Sequence, residues 1–163
     1  MAARGTPATV ALQRAKVAHT LHQYEHDPAV RQYGTEAVEA LGLDAARTFK
    51  TLIAAPANGG KLVCAVVPVA AQLDLKALAA AAGVKQMTMA EPAAAERATG
   101  YVLGGISPLG QKQRLATFID ESAQHHPTVF LSAGRRGLEV ELSPADLAQL
   151  TDANFAAIAR TTA

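Results

Sequence analysis

The sequence is poor in cysteine, in aromatic residues and in net charge, and each scarcity excludes a class of protein. Its 163 residues include one Cys, so no disulfide can form within the chain, and aromatic residues make up 4%. Lys and Arg number 15 against 14 Asp and Glu, a formal net charge of +1. This balance argues against a broad basic face that grips nucleic acid along its length. Short basic groups, at 47 and 50, 112 and 114, and 135 and 136, are either solvated surface, which is the commoner case, or converge on a few phosphates. The hydrophobic fraction of 50% is nevertheless ample for a folded core.

Long apolar runs are also missing. The most apolar stretches, residues 62–72 and 75–84, are shorter than the roughly 20 residues that a membrane-spanning helix needs, and Lys76 interrupts the second. Residues 1–7 contain no hydrophobic signal core. Together with the single Cys, these features predict a cytoplasmic protein without membrane contact, folded as one domain over residues 1–163.

The order of predicted elements favours an α+β fold. Asn58-Gly59 between two apolar runs is a strong hairpin signal, and residues 133–137 are predicted to form a turn. Because helices and strands mix without regular β-α-β order, we expect a mixed, mostly antiparallel, barrel-like sheet flanked by helices. Helices are predicted at 6–18, 36–41 with Thr35 as N-cap, 74–82, 91–99 and after 143–144. Strands are predicted at 19–26, 49–55, 61–69, 86–89, 101–103, 115–119, 128–131 and 138–142.

Lys50 is the first candidate for chemistry because it lies in an otherwise apolar predicted strand. Alternation places Lys50 on the same face as Leu52 and Ala54. That face is either the solvated side of the sheet, which periodicity alone favours, or the wall of a cavity. In the second case the ammonium would hold a phosphate or a carboxylate, because a buried lysine needs a partner or a lowered pKa. The strand pattern leaves both alternatives open.

The loop at residues 104–110 is the second candidate. Its adjacent glycines, Gly104 and Gly105, allow close backbone approach, so their N–H groups could stabilise a developing oxyanion. The alternative is an ordinary tight bend, which a lone Gly-Gly pair more often marks. Ser107 offers a hydroxyl in the same loop, but no Gly-x-Ser-x-Gly elbow surrounds it, so we do not expect a serine nucleophile.

The remaining polar and reactive residues each have a structural and a functional interpretation. Cys64 lies in an apolar strand and is expected to be an inert core thiol. Tyr24 is either a core aromatic or a platform for a nucleobase. Asp146 follows a predicted helix start, where its charge would favour the positive helix end or recognise a substrate amine. The five His show no zinc-site spacing, so we expect no metal and no cofactor.

Four segments together resemble the bacterial YbaK family. They read Tyr-Glu-His-Asp at 24–27, Phe-Lys-Thr-Leu at 49–52, Thr-Gly-Tyr-Val-Leu-Gly-Gly-Ile-Ser-Pro-Leu-Gly-Gln-Lys at 99–112 and Ser-Ala-Gly-Arg-Arg-Gly-Leu-Glu-Val at 132–140. Members of this family are single-domain trans-editing deacylases, related to the editing domain of bacterial prolyl-tRNA synthetases. The resemblance extends over nearly the whole chain. Two small departures are Ala133 in place of a family Gly and Arg135 in place of a family Lys.

The resemblance implies a Cys-tRNA(Pro) deacylase, which hydrolyses the ester between tRNA and a cysteine misattached by prolyl-tRNA synthetase. The family loop would supply backbone donors to the ester carbonyl, and the family lysine would anchor the terminal adenosine. Tyr24 would pack against the adenine, and Ser132 or Asp146 would orient the amine. The catalytic residues carried over are Lys50, Gly104, Gly105 and Ile106. The substrate-binding residues carried over are Tyr24, Thr51, Ser107, Ser132 and Asp146.

The resemblance also implies a mechanism and a partner. The thiol of the attached cysteine would attack its own ester carbonyl, releasing tRNA and a cyclic thioester. This route fits the selectivity problem, because a pocket alone separates such small side chains by only about 1–3 kcal/mol, whereas a thiol ionises far more readily than a hydroxyl. Prolyl-tRNA synthetase would deliver the mischarged tRNA. Two alternatives stay open: an Ala-tRNA(Pro) deacylase that uses water, and a non-catalytic module that binds aminoacyl-tRNA or a synthetase.

Overall fold

Short strands and short helices are interspersed along the chain. The computed structural model describes residues 5–29 and 33–161, so 1–4, 30–32 and 162–163 of the predicted domain lie outside the described residues. The helices are α1 (Pro7–Ala15), α2 (Tyr33–Leu41), α3 (Leu75–Ala82), α4 (Pro92–Thr99) and α5 (Pro144–Thr151), with a 3-10 helix at Glu121–His125. The strands are β1 (Thr20–Gln23), β2 (Phe49–Pro56), β3 (Val63–Pro68), β4 (Ala71–Leu73), β5 (Met87–Met89), β6 (Ala116–Asp120), β7 (Val129–Arg135), β8 (Leu138–Leu142), β9 (Asn154–Ala156) and β10 (Ala159–Thr161).

The strands form three sheets, of which the largest has the order β5-β2-β3-β6-β9. Its β2 pairs antiparallel with β3 and β5, whereas β6 pairs parallel with β3 and β9. A second sheet, β1-β8-β7, and a pair, β10-β4, are antiparallel. The predicted α+β class with a mixed, mostly antiparallel sheet is therefore confirmed. The description "barrel-like" is loose, because the sheets of the described ranges do not close into a barrel.

The central strand β3 explains the longest apolar run of the sequence. All six of its residues are buried, because its two faces pack into two separate core clusters. Cys64 and Val66 belong to one cluster, and Ala65 and Val67 belong to the other. Cys64 is fully buried, as expected, and burial raises the pKa of its thiol to about 12. Its thiol is therefore unreactive at neutral pH.

Local hydrogen bonds account for the helix starts. The side chains of Thr6, Asp74 and Ser143 each accept a hydrogen bond from a backbone N–H in the first turn of α1, α3 and α5, at 3.0–3.1 Å. These starts are confirmed. The start predicted at Thr35 is wrong, because α2 already begins at Tyr33. No helix within the described ranges is long and apolar enough to cross a bilayer.

Three other predictions differ from the structure. Residues 101–103 are not a strand: Leu103 N–H donates to Oε2 of Glu96 at 2.9 Å, and Gly105 N–H donates to the Val102 carbonyl at 2.9 Å. The turn predicted at 133–137 is shorter, because β7 continues to Arg135 across an irregularity in its pairing. Helix α1 ends at Ala15 rather than near residue 18.

Candidate active site

A cavity of about 550 Å³ lies between the start of α2, one end of β2, the segment that leads into β4, and the loop at 103–106. Strands β7 and β8 contribute its remaining wall. Six of the nine residues predicted for the site line this cavity, namely Tyr24, Lys50, Thr51, Gly104, Ile106 and Ser132. The lining contains no Cys and no His among the described residues.

Lys50 projects from β2 into this cavity. Its Nζ donates a hydrogen bond to the Ala71 carbonyl at 2.9 Å, and no described carboxylate forms an ion pair with it. The side chain is about half-buried, and this burial lowers the pKa of its ammonium. The sequence leaves two positions open for Lys50, the solvated face of the sheet and the wall of a cavity. The structure places it in the wall of the cavity. An ammonium whose hydrogen-bond partner is neutral can still bind a phosphate or stabilise a developing negative charge.

The next residue of β2, Thr51, also lines the cavity. Its hydroxyl oxygen is buried and has no hydrogen-bond partner among the described residues. A buried hydroxyl without a partner is unfavourable by roughly 1–3 kcal/mol in a closed core. Thr51 contributes to the wall of the cavity, but its hydroxyl is closed to solvent, so a ligand reaches it only after a local movement of that wall. Ser132 on β7 lines the opposite wall, where its hydroxyl accepts the Gly134 N–H at 3.2 Å.

The two glycines of the loop are required for different reasons. Gly104 has φ +91°, and a Cβ there would lie 2.9 Å from Cδ of Arg136. A Cβ on Gly105 would lie 2.6 Å from Cα of Arg135, so backbone packs directly on backbone. No other residue type fits either position without moving its neighbours. The loop is thereby fixed against the β7–β8 hairpin.

The backbone N–H groups of the loop are not equivalent. Gly105 N–H already donates to the Val102 carbonyl, so it holds the loop and is not available to a substrate. The N–H groups of Gly104 and Ile106 have no hydrogen-bond partner within the described ranges. Both residues line the cavity. The donors that could stabilise an oxyanion are therefore those of Gly104 and Ile106.

Ser107 and Asp146 lie outside the lining of the cavity. Ser107 is fully buried, where its hydroxyl accepts the Leu109 N–H at 3.2 Å and its carbonyl accepts from the Gln111 side chain at 3.0 Å. Asp146 lies in the first turn of α5, where its N–H donates to the hydroxyl of Ser143. The structure thus gives Ser107 a position inside the loop and Asp146 a position at a helix start.

The acidic residue that lines the cavity is Glu139, which our sequence reasoning missed. It lies on β8 directly opposite Ser132 of β7 and is 6% exposed. Burial raises the pKa of its carboxyl to about 8, so the group is mostly protonated at neutral pH. One signal was available in the sequence: Glu139 is an acid between the apolar Leu138 and Val140 of a predicted strand. Its pairing with Ser132 is visible only in the structure.

Two arginines that could have bound phosphates are engaged inside the protein. Arg136 donates to the Asp27 carbonyl at 2.7 Å and to Oε1 of Glu36 at 3.1 Å, and its guanidinium lies 4.5 Å from the centre of the Tyr33 ring. These contacts join α2 and the segment after β1 to the cavity wall. Arg47 donates to the Thr128 carbonyl at 2.7 Å. Neither side chain lines the cavity.

A metal site is not evident in the structure. Within residues 5–29 and 33–161, no group of three or more His, Cys, Asp or Glu side chains converges to hold an ion. The acidic and basic side chains of the cavity are instead the carboxyl of Glu139, which is mostly protonated at neutral pH, and the ammonium of Lys50. Their arrangement, with two open backbone N–H groups and a free hydroxyl, can orient an ester and stabilise charge on its carbonyl oxygen.

Comparison with known proteins agrees with this chemistry. Residues 27–150 match the family model of the aminoacyl-tRNA editing domain. The chain is 42% identical over 120 residues to a protein of Enterococcus faecalis named "Putative Cys-tRNA(Pro)/Cys-tRNA(Cys) deacylase EbsC", with 74% of this chain and 73% of that protein covered. It is 28% identical over 116 residues to the uncharacterized protein YwhH of Bacillus subtilis, with 71% and 73% covered.

Solved structures share the fold at lower identity. One, described as "a putative trans-editing enzyme for prolyl tRNA synthetase", superposes with a TM-score of 0.79 at 22% identity, covering 97% of this chain and 99% of the other. Another, the hypothetical protein APE2540, gives a TM-score of 0.83 at 23% identity, covering 94% and 99%. On the match to the family model and the 42% identity, this chain belongs to the family of aminoacyl-tRNA editing domains.

Proposed function

We propose that this protein is a trans-editing deacylase that removes cysteine misattached to tRNA(Pro). The observation that carries the proposal is the cavity that Lys50, Gly104 and Ile106 line together, with the N–H groups of the two loop residues unpaired within the described ranges. Such a site can bind the aminoacylated 3′ end of a tRNA and stabilise negative charge on the ester oxygen. The name of the Enterococcus faecalis relative supports the same substrate.

In the proposed reaction the substrate supplies its own nucleophile. The sulfur of the attached cysteine bonds to the ester carbonyl carbon, the bond from that carbon to the ribose oxygen breaks, and the thiol proton ends on the released hydroxyl. The products are free tRNA and a cyclic thioester. A lining without Cys or His among the described residues supports this route, because a few per cent of a thiol is already ionised near neutral pH.

We assign the residues of the cavity as follows. Lys50 holds the phosphate or ribose of the terminal adenosine, and Tyr24 packs against its base. The N–H groups of Gly104 and Ile106 donate to the carbonyl oxygen as its negative charge develops. Ser132 and Glu139, which are paired across the β7–β8 hairpin, orient the amine in place of Asp146, which is not in the lining. Gly105 and Ser107 fix the loop, and the unpaired hydroxyl of Thr51 bonds to the ester once the wall adjusts around the substrate.

The experiment that tests this function measures deacylation of Cys-, Ala- and Ser-tRNA(Pro) by the wild type and by Lys50→Ala. We expect the wild type to clear Cys-tRNA(Pro) and to leave the other two, and Lys50→Ala to lose at least 100-fold in kcat/KM, or roughly 2.7 kcal/mol. Lys61→Ala is the matched control, since Lys61 is exposed in the loop between β2 and β3. Preferential clearance of Ala-tRNA(Pro) would indicate the water-dependent alternative, and binding without turnover would indicate a non-catalytic module.

We propose prolyl-tRNA synthetase as the partner that presents the substrate. The description of one structural neighbour as a trans-editing enzyme for this synthetase supports the idea. A net charge of +1 supports it too, because few cations are available to hold a tRNA without help. Gel filtration of the protein with the synthetase and tRNA(Pro) should give a ternary complex. Independent migration at micromolar concentrations would contradict the proposal.

A further inference from the structure

Two consecutive apolar residues are exposed at the mouth of the cavity. Val102 is 73% exposed and Leu103 is 41% exposed, and Leu103 also contributes to the lining. Their backbone is fixed, because Leu103 N–H donates to the side chain of Glu96 and the Val102 carbonyl accepts from Gly105. Isolated exposed apolar residues need no explanation, but an adjacent pair that is held rigid and continues a binding cavity is typical of a contact surface.

The sequence around this pair contains cations and no acids. Between Glu96 and Asp120 the chain has no Asp or Glu, whereas it has Arg97, Lys112 and Arg114. In a chain with a net charge of +1, such a segment is a local concentration of positive charge. Its charge is therefore complementary to an anionic partner.

Backbone contacts place Lys112, and one further cation, Arg135, near the apolar pair. Lys112 N–H donates to the Thr99 carbonyl at 2.9 Å, and a Cβ on Gly100 would lie 3.3 Å from Cβ of Lys112. Lys112 thus lies beside Gly100, which follows α4 and precedes Val102 by two residues. On the other side, Cα of Arg135 lies under Gly105, as described above. We call Val102, Leu103, Arg97, Lys112 and Arg135 the rim patch.

The cations of the rim patch are available to a ligand. Arg97, Lys112 and Arg135 are exposed, and none forms an ion pair with a residue in the described ranges. The nearest acid in the sequence, Glu96, is only partly exposed and accepts the Leu103 N–H. Exposed cations beside the apolar pair Val102 and Leu103 provide the two kinds of contact that single-stranded RNA makes with proteins: positive charge for its phosphates and an apolar surface for its base faces.

We propose that the rim patch binds the single-stranded nucleotides that precede the aminoacylated one at the RNA 3′ end. This inference rests on the proposed function, because the terminal nucleoside must occupy the cavity for its neighbours to cross the mouth. Val102 and Leu103 contact a base face, and Arg97, Lys112 and Arg135 contact phosphates. The patch therefore supplies affinity for the RNA, while the cavity supplies the chemistry.

Binding of an RNA minihelix with a single-stranded CCA end tests the patch without any turnover. The double variant Arg97→Glu/Lys112→Glu should weaken binding at least tenfold. It should also reduce the slope of log K against log salt by about 1.4, since each lost single-strand phosphate contact removes about 0.7. The control Lys61→Glu/Lys85→Glu makes the same charge change at exposed positions away from the cavity lining and should alter affinity less than twofold. Equal losses in both double variants, or no loss in either, would overturn the proposal.

A second comparison tests the apolar pair. Val102→Ser should weaken minihelix binding about fivefold, whereas Met89→Ser, which changes another exposed apolar residue on β5, should leave binding unchanged. An unchanged affinity for Val102→Ser would remove the base contact from the proposal. If the rim variants bind RNA normally but lose the complex with the synthetase, the patch is a protein contact and the RNA proposal is wrong.

Turnover of two substrates separates this proposal from the proposed function. The rim variants should lose about tenfold in kcat/KM on Cys-tRNA(Pro) and retain wild-type turnover of cysteinyl-adenosine, which lacks the preceding nucleotides. Lys50→Ala should lose activity on both. If the wild type cleaves neither ester, the proposed function is wrong, and the minihelix measurement still decides whether the patch binds RNA. Equal losses of the rim variants on both esters would contradict a role outside the cavity.

Discussion

Asp120 and Glu139 are both buried acids, but the first carboxyl group accepts several hydrogen bonds from the protein and the second accepts none from the described residues. Asp120, at the end of β6, accepts hydrogen bonds from the N–H groups of Ile158, Ala159 and Ser122, at 3.0–3.2 Å, and from the Ser122 hydroxyl at 2.5 Å. Glu139 faces the cavity, and no described residue donates a hydrogen bond to its carboxyl. Burial raises the pKa of Glu139 to about 8.

The difference separates polar groups that build the fold from polar groups that are available to a ligand. Around Asp120, Oδ1 accepts from Ile158 and Ala159 and so joins β6 to the start of β10, and Oδ2 accepts from Ser122. Around the cavity, the carboxyl of Glu139, the hydroxyl of Thr51 and the loop N–H groups are left open. Groups of the first kind should affect mainly stability when they are removed, and groups of the second kind should affect mainly activity.

The largest effect on stability is expected for Asp120→Ala. This change leaves three backbone N–H groups without their acceptor, so we expect the free energy of unfolding to fall by about 4 kcal/mol. Urea denaturation at pH 7 measures the loss. Glu121→Ala, at the exposed neighbouring position, is the control and should change stability by less than about 0.5 kcal/mol. A loss for Asp120→Ala as small as that of the control would break the comparison.

A smaller, pH-dependent effect is expected for Glu139→Gln. Because the folded pKa lies above the unfolded value near 4.5, the folded state holds the proton more tightly and stability falls as pH rises from about 5 to about 8. The variant removes this fall. It should match the wild type near pH 4 and exceed its stability increasingly as pH rises toward 8. If the free energies of unfolding of the two proteins change in parallel over this pH range, Glu139 is not a buried acid without a partner.

The neighbouring Glu141 provides a control of opposite sign. A hydrogen bond from the Thr128 hydroxyl lowers the pKa of Glu141, and contacts with His22 and Arg47 act in the same direction. Its contribution to stability is therefore present above its unfolded pKa and is lost as pH falls through its lower folded pKa. Glu141→Gln should lose stability at neutral pH and converge with the wild type in acid. A stabilising effect of this variant at pH 8 would show that strand position, not the carboxyl's surroundings, decides the sign.

The smallest effects distinguish two threonines of similar position. The Thr48 hydroxyl donates to the Asp44 carbonyl at 2.8 Å, whereas the Thr51 hydroxyl has no described partner. We expect Thr48→Val to cost about 1 kcal/mol in unfolding free energy with unchanged deacylation. Thr51→Val should change stability by less than about 0.5 kcal/mol and lower kcat/KM for Cys-tRNA(Pro) about fivefold. The reverse pattern would refute the division between the two kinds of group.

The sequence predicts the local features of this fold better than the remote ones. Helix caps such as Thr6 and the hairpin of β2 and β3 depend on neighbouring residues, and their patterns predict them correctly. The strand at 101–103 fails because its N–H groups bond to Glu96 and within the loop. The three-residue strands β4, β9 and β10 are missed, whereas β5, of the same length, is predicted; so short a run carries little periodicity, and its recognition is uncertain from one strand to the next.

The candidate site shows the same limit. Lys50 and the glycine loop are singled out by sequence, but only the fold shows that they share a cavity. Asp146 was selected by its place at a helix start, whereas the acid in the lining is Glu139. The β7–β8 register, which pairs Glu139 with Ser132, is altered by an irregularity next to Ser132. A pairing counted from the predicted turn therefore does not identify this acid without the structure.

The most direct test of the central claim is a crystal structure with cysteinyl-adenosine in which an amide replaces the scissile ester. We expect its carbonyl oxygen within 3.2 Å of the N–H groups of Gly104 and Ile106, about the limit of such hydrogen bonds. Nζ of Lys50 should contact the ribose or an added terminal phosphate. An analogue bound with its carbonyl turned away from both N–H groups, or bound outside the cavity, would contradict the account.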